Sequence, residues 1–212
     1  MKLGLETYPP ITFRALSIVI GIAALGALLW ARKQRVAIAV PELKKLFAIS
    51  QINLTAWQMG LLYGVILMGA SRAAIVGYTM PVWAFVASVV LYKAPINIRG
   101  VIGVTLALVA VGALTLNDFS AFIAAPAGLF ILLAAAISWG TGTALIRNTP
   151  LSIGNESMAF WALICTLPAY AVLTYWFESH LWRWPNVVEW LTILYGGLVT
   201  FSFCYVVWYR LS

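Results

Sequence analysis

A few polar and aromatic side chains sit inside long apolar runs, and they are the residues that could do chemistry. Arg14 is the most demanding, because it lies within the run Ile11–Ala31. A charge held in hydrocarbon costs about 2.5–3.5 kcal/mol on insertion scales, so it must face a cavity or carry its head group to the interface. Two readings follow: snorkelling at a helix end, or a polar contact at the mouth of a cavity. Gln51, Asn53 and Gln58 cluster in the next run. Asn53 and Gln58 are five apart and do not share one helical stripe. Hydrogen bonds between helices account for all three, and Gln58, the deepest, is the one placed to touch a bound molecule. Gly60 and Gly64 form a GxxxG that lets helix backbones approach closely. Tyr78, Pro81 and Trp83 fall at mid-depth in a third run. Pro81 lacks an N–H, frees a carbonyl and can kink the helix, a hinge that rocking or gating would use. Trp139, Trp161 and Tyr205 lie away from run ends, where cavity lining and packing are both open. Trp182, Trp184 and Trp190 fit an interfacial belt.

The missing chemistry narrows the classes. His180 is the only histidine and lies between runs, and no run contains paired acidic residues. Cys165 and Cys204 lie within apolar runs and read as small core residues. A histidine-zinc site, a carboxylate di-metal site and the usual acidic proton relay are therefore not expected. No phosphate-binding GxxxxGK followed by Ser or Thr is present, so nucleotide hydrolysis is not expected either. The sequence implies no enzyme, no metal and no cofactor.

The elements that position these residues follow from composition. The chain is 63% hydrophobic and only 9% charged, whereas soluble domains carry about 25% charged residues. So few charges cannot cover a water-facing surface. The runs reach about 20 residues, the length of a membrane-crossing helix, and lack the alternation of barrel strands. The expected fold is an all-α polytopic membrane helix bundle, with the lipid bilayer as its first partner. Seven spans are predicted: Ile11–Ala31, Leu46–Ala70, Ala73–Tyr92, Gly100–Leu116, Ala121–Ile146, Ser157–Phe177 and Val187–Tyr209. Arg72 marks the break between the second and third. The net charge of +7 sits in the short connections and sets topology, so nucleic acid is not an expected partner. One side carries Lys2, Arg72 and Arg183. The other carries Arg32, Lys33, Arg35, Lys44, Lys45, Lys93, Arg99, Arg147 and Arg210. The positive-inside rule places the second side in the cytoplasm, with the N-terminus of this chain outside and its C-terminus inside. No cleavable signal peptide is evident, so one more helix upstream is expected.

An internal repeat supports that expectation. At an offset of about 146, Arg14-Ala-Leu16 falls near Trp161-Ala-Leu163 and Trp30 falls on Trp176; at 145, Thr55 falls on Thr200 and Tyr63 on Trp208. Spans one and two thus pair with six and seven. An offset of five helices gives the copies opposite topology, and inverted repeats are a signature of secondary transporters.

Several stretches resemble the drug/metabolite transporter superfamily, EamA type. Pro10-Ile-Thr-Phe-Arg14-Ala resembles the start of that family's second helix, including its arginine. Ala73–Tyr92, with Tyr78-Thr-Met-Pro81-Val-Trp, resembles the fourth helix. Arg99-Gly-Val-Ile-Gly103 through Val111-Gly112 resembles the fifth, Ala136-Ile-Ser-Trp139-Gly with Ile146-Arg147 the sixth, and Cys204-Tyr-Val-Val-Trp208-Tyr-Arg210 the end of the eighth. Lys93 stands where the family usually has an acidic residue, and helices one, nine and ten are missing. The resemblance implies inverted five-helix repeats with about seven of ten helices present: residues 1–118 as an incomplete first repeat and 119–212 as an incomplete second. It also implies a secondary transporter of the cytoplasmic membrane that moves small metabolites or amphipathic compounds, by efflux. The sparse charge within spans points to a neutral, zwitterionic or aromatic substrate. The candidate substrate contacts are Arg14, Gln58, Tyr78, Trp139, Trp161 and Tyr205, with Pro81 as the hinge. The rival reading is a non-transporting fragment, or an assembly partner for itself or another membrane chain. A seven-helix photoreceptor fits poorly, because the last span has no lysine for a retinal Schiff base.

Overall fold

A computed structural model describes residues 8–116 and 125–207. The described residues form helices and no strands. In chain order they are α1 (Pro10–Ala31), α2 (Val40–Ser50), a π-helical turn (Gln51–Thr55), α3 (Ala56–Met68), α4 (Ala70–Gly77), α5 (Met80–Tyr92), α6 (Ile98–Leu116), α7 (Pro126–Arg147), α8 (Asn155–Glu178), a 3-10 turn (Ser179–Leu181), α9 (Val187–Tyr195) and a second π-helical segment (Gly196–Cys204). Proline opens α1, α2, α5 and α7 within the first two positions, where its missing N–H costs no helical bond and its fixed φ suits the helix.

Among the described residues six stretches are long and apolar enough to cross a membrane: Pro10–Ala31, Ala70–Tyr92, Ile98–Leu116, Pro126–Arg147, Asn155–Leu181 and Val187–Val207. The protein is thus an all-α polytopic membrane protein. The predicted span 46–70 is not among the six. It is helical without interruption from Val40 to Met68, but Gln51, Asn53 and Gln58 dilute its apolar character. Lys44 and Lys45, read from sequence as connection residues, lie inside α2. The first break also moves. Gly69, with φ +84, separates α3 from α4, and Arg72 lies inside α4, donating to the Met68 carbonyl at 3.4 Å. A backbone conformation open to glycine ends the helix there, not a charge. Parts of the predicted spans at 121–124 and 208–209 lie outside the described residues.

The chain divides into two compact units, residues 1–51 with 151–212, and residues 52–150. In the first, α1 lies antiparallel to α8, and both ends of the pair are pinned by carboxylates. Glu178, at the end of α8, accepts from the backbone N–H of Ile11 at 2.8 Å and of Thr12 at 2.6 Å, and from the Thr12 hydroxyl at 2.7 Å. At the opposite end Arg32, just past α1, meets Glu156 in the first turn of α8 at 2.6 Å. The N–H groups of a first helical turn have no intrahelical acceptor, so Glu178 satisfies two of them and opposes the positive end of the helix dipole. The other face of α1 packs on the segment Gly196–Cys204. A Cβ on Gly21 would stand 2.6 Å from the Phe201 Cβ, and one on Gly197 would stand 2.5 Å from Ile20. Only glycine permits that approach. α9 starts with a capping box between Asn186 and Glu189.

In the second unit α7 is central, packed by α3, α4 and α5. Gly140 lets α5 lie directly on α7: a Cβ there would sit 2.6 Å from the Ala84 nitrogen and from the Trp83 Cβ. Met68, Ala73, Val76 and Leu132 form one buried cluster, and Trp57, Ala135 and Ala136 another. α6 has no buried residue.

The predicted repeat has a backbone counterpart. Adding 145 carries Gln51, where the first π-helical segment begins, onto Gly196, where the second begins. Adding 146 carries Pro10–Ala31 onto 156–177, within α8. A π turn inserts one residue into the helical register and is uncommon, and the two segments begin 145 residues apart.

Candidate functional site

The polar residues of the membrane-spanning helices gather in two places, one in each unit. In the first unit the centre is Arg14. The buried stripe of α1 runs through Ile11, Arg14, Ser17, Ile18, Gly21 and Leu25, the spacing of one helical face. Arg14 therefore points where the stripe points. It is 4% exposed, so it does not snorkel to an interface. Its guanidinium lies 5.9 Å from the centroid of the Phe201 ring, within the range of a cation–π contact. Phe201 stacks on Tyr205 at 5.7 Å. The phenols of Tyr170, on α8, and Tyr205 are the groups that act electrostatically on the guanidinium, and Tyr170 and Tyr205 act on each other. Among the described residues no carboxylate faces Arg14. Its Nε and the hydroxyl of Tyr170 are buried and have no hydrogen-bond partner.

A separate cavity of about 370 Å³ opens at the start of α1, lined by Tyr8, Thr12, Leu16, Trp182, Trp184 and Trp190. Arg14 is about 200° round the helix from Thr12 and does not line it. The cavity wall is stiffened by Arg183, which binds both carboxylate oxygens of Glu189 and lies over the Tyr8 ring at 5.1 Å. The Tyr8 hydroxyl donates to the Arg183 carbonyl at 3.0 Å. Burial raises the Tyr8 pKa above the ordinary phenol value, and the hydrogen bond to Glu189 raises that of Arg183.

In the second unit the aromatic rings of α3 and α7 meet. Trp57 and Trp139 have centroids 5.7 Å apart, tilted at 57°, and Trp83 joins their cluster. Asn53 donates to the Trp139 carbonyl at 3.0 Å, and the Ser138 hydroxyl donates to the Ile52 carbonyl. A π turn leaves carbonyls out of helical register, and the Ser138 hydroxyl of α7 meets the one at Ile52, while Asn53, within the turn, reaches the α7 backbone at Trp139. Trp83 donates to the Thr79 hydroxyl at 3.2 Å.

The residues singled out from sequence distribute as follows. Arg14 and Tyr205 share the first cluster, and both are buried. Trp161, in the same unit, donates its indole N–H to the Val36 carbonyl at 2.6 Å, which ties the chain after α1 to α8. Trp139 and buried Gln58 belong to the second unit. Tyr78 is 62% exposed and joins no cluster there. Pro81 stands in the first turn of α5, not in mid-helix: the chain turns at Tyr78-Thr79 between α4 and α5. Sequence reasoning missed Tyr170 and Phe201. The available signal was the Arg14–Ser17–Gly21 stripe, which shows that one face of α1 needs a partner, though not which residues supply it.

Comparison with known proteins adds to this geometry. Residues 1–116 match the EamA-like transporter family. A protein of Bacillus subtilis (strain 168) described as the uncharacterized transporter YoaV is 27% identical over 216 residues, covering 99% of this chain and 72% of its own length. A protein of known crystal structure superimposes with a TM-score of 0.69 at 19% identity, over 97% of this chain and 71% of its own, and shares the fold.

Proposed function

The chain belongs to the EamA-like transporter family, and from that premise we propose that it is a secondary permease that exports a small metabolite or amphipathic compound across the cytoplasmic membrane. The observation that carries the reading is the Arg14 cluster. A membrane-spanning unit that encloses a guanidinium and two phenols beside stacked rings has recognition chemistry where a purely structural helix pair needs only apolar contact. The paired π turns support it, because such turns open helical backbone and are frequent at functional sites. The arrangement of two incomplete repeats, residues 1–118 and 119–212, and an N-terminus outside with the C-terminus inside belong to the same proposal. Arg14, Gln58, Trp139 and Tyr205 remain its candidate contacts, and the turn before Pro81 its hinge.

The test is transport by the full chain reconstituted in liposomes, read as counterflow of radiolabelled amino acids and aromatic metabolites against empty vesicles. Saturable exchange of any of these supports the proposal. No exchange by protein that keeps its helical signal overturns it and favours the second reading, a membrane assembly partner without transport activity. One observation favours that rival: α6 carries no buried residue, so although α4 and α5 touch it, much of its surface is open among the described residues.

A further inference from the structure

We propose that Arg14 and Tyr170 form the anion-binding end of a ligand site, and that the site takes a monocarboxylate with an apolar or aromatic body. This deepens the transport reading and rests on it only for the ligand's being cargo; the binding claim is separate. The argument is one of unmet partners. A buried charge is normally paired and hydrogen-bonded, because removing it from water without compensation is costly. Arg14 is 4% exposed, its Nε has no hydrogen-bond partner, and its electrostatic neighbours are phenols, not carboxylates. Tyr170 is 1% exposed and its hydroxyl has no hydrogen-bond partner either. Each of these two atoms can donate, and the two side chains are within electrostatic reach of each other. What the pair lacks is an acceptor, and an anionic one.

The size and charge of that acceptor follow from what surrounds it. The cluster offers one formal positive charge, so a single negative charge neutralises it and a dianion overshoots. A guanidinium edge presents parallel N–H groups that match the two oxygens of a carboxylate. Phe201 and Tyr205, stacked at 5.7 Å, give the rest of the molecule an apolar wall. The wall is held in place by the contact of Gly21 with Phe201. Cation–π attraction to Phe201 offsets part of the cost of the buried charge, but does not supply hydrogen-bond acceptors.

The experiment is calorimetric titration of the purified full chain in nanodiscs of phosphatidylcholine, using acetate, hexanoate and phenylacetate, each beside its neutral amide. Saturable binding of hexanoate or phenylacetate at least tenfold tighter than its amide is expected. Arg14→Gln should abolish that preference. Tyr170→Phe should weaken carboxylate binding about tenfold, the value of one hydrogen bond to a charged group, and leave the amide unchanged. Arg72→Gln removes a positive charge outside the cluster and should bind carboxylate like the natural protein. Inorganic phosphate should bind more weakly than phenylacetate. A second measurement needs no ligand: Arg14→Met should raise the unfolding midpoint in ligand-free nanodiscs, since it removes an uncompensated buried charge. Failure of every carboxylate to bind, equal loss in Arg72→Gln, phosphate binding as tight as phenylacetate, or a destabilised Arg14→Met would each overturn the proposal. Carboxylate binding without counterflow would sink the transport reading and leave this site standing. Counterflow of a neutral compound untouched by Arg14→Gln would do the reverse.

Discussion

Replacing Glu178 tests whether the α1–α8 pair is held as the geometry says. The carboxylate is 5% exposed and accepts from two backbone N–H groups and one hydroxyl at 2.6–2.8 Å. In Glu178→Ala the Ile11 N–H, which is buried, loses its acceptor and has no helical alternative. A buried donor left unsatisfied costs about 1–3 kcal/mol. The Thr12 N–H is only partly buried, so water recovers some of its loss. The negative charge at the positive end of α1 contributes a further ~0.3–1 kcal/mol. The sum is about 2–4 kcal/mol of destabilisation. Glu178→Gln keeps one carbonyl oxygen for Ile11 and loses the charge, so it should cost about 1–2 kcal/mol. At the other end of the same helix pair Arg32 is half exposed while Glu156 is buried; Arg32→Gln keeps an N–H donor for that carboxylate and should cost about 1 kcal/mol. Unfolding of the purified chain by SDS in mixed micelles, followed by far-ultraviolet circular dichroism, ranks the three. The expected order of damage is Glu178→Ala, then Glu178→Gln, then Arg32→Gln. A Glu178→Ala variant within about 0.5 kcal/mol of the natural protein would refute the claim that Glu178 caps α1.

Gly140→Ala places a Cβ 2.6 Å from the Ala84 nitrogen, and overpacking of that kind should cost about 1–3 kcal/mol in the same unfolding assay. Asn186→Ala removes the acceptor that holds the Glu189 N–H at 2.9 Å, and loss of such a cap should cost about 0.5–2 kcal/mol. Trp161→Phe removes the bond to the Val36 carbonyl; it should lower stability by about 1 kcal/mol and leave the transported compound's apparent affinity unchanged, since that indole is already engaged.

Helix positions were legible in the sequence because the membrane asks for little else: apolar runs of sufficient length with polar breaks. Run 46–70 shows the limit. Gln51, Asn53 and Gln58 lower its hydropathy, yet it is helical as far as Met68, and Asn53 bonds the Trp139 carbonyl and Gln51 the Cys165 carbonyl. Those partners lie 86 and 114 residues away and leave no mark on the local pattern. The break at Gly69 was assigned to Arg72 for a related reason: charge is visible in a sequence, while a positive φ is not. Arg14 was legible as a misfit, a charge where none should be. Its companions were not, since Tyr170 and Phe201 look like any other aromatic residue of an apolar run until α8 and the 196–204 segment are packed against α1. For Tyr78 the limit is the converse one: mid-span depth says nothing about which way a helix face turns, and its side chain is largely exposed.

The repeat offers a way to separate scaffold from chemistry. Features that recur at the repeat offset serve the architecture: the π turns that begin at Gln51 and Gly196, and the long helices α1 and α8. Features that break the symmetry need another reason. An offset of 146 carries Arg14 onto Phe160, one residue before the Trp161 that the motif match sets near it; Phe160 packs edge-on with Trp161 at 5.9 Å, and Trp161 has its hydrogen bond to Val36. The stretch at Phe160 and Trp161 thus closes its aromatic cluster with satisfied neutral groups, and the stretch at Arg14 closes its own around a cation whose Nε lacks an acceptor. Installing the neutral pair at Arg14 and its neighbour, as Arg14→Phe with Ala15→Trp, should therefore preserve or raise stability while removing carboxylate binding. If the double variant instead fails to accumulate in the membrane, the arginine belongs to the scaffold and the asymmetry has a structural cause.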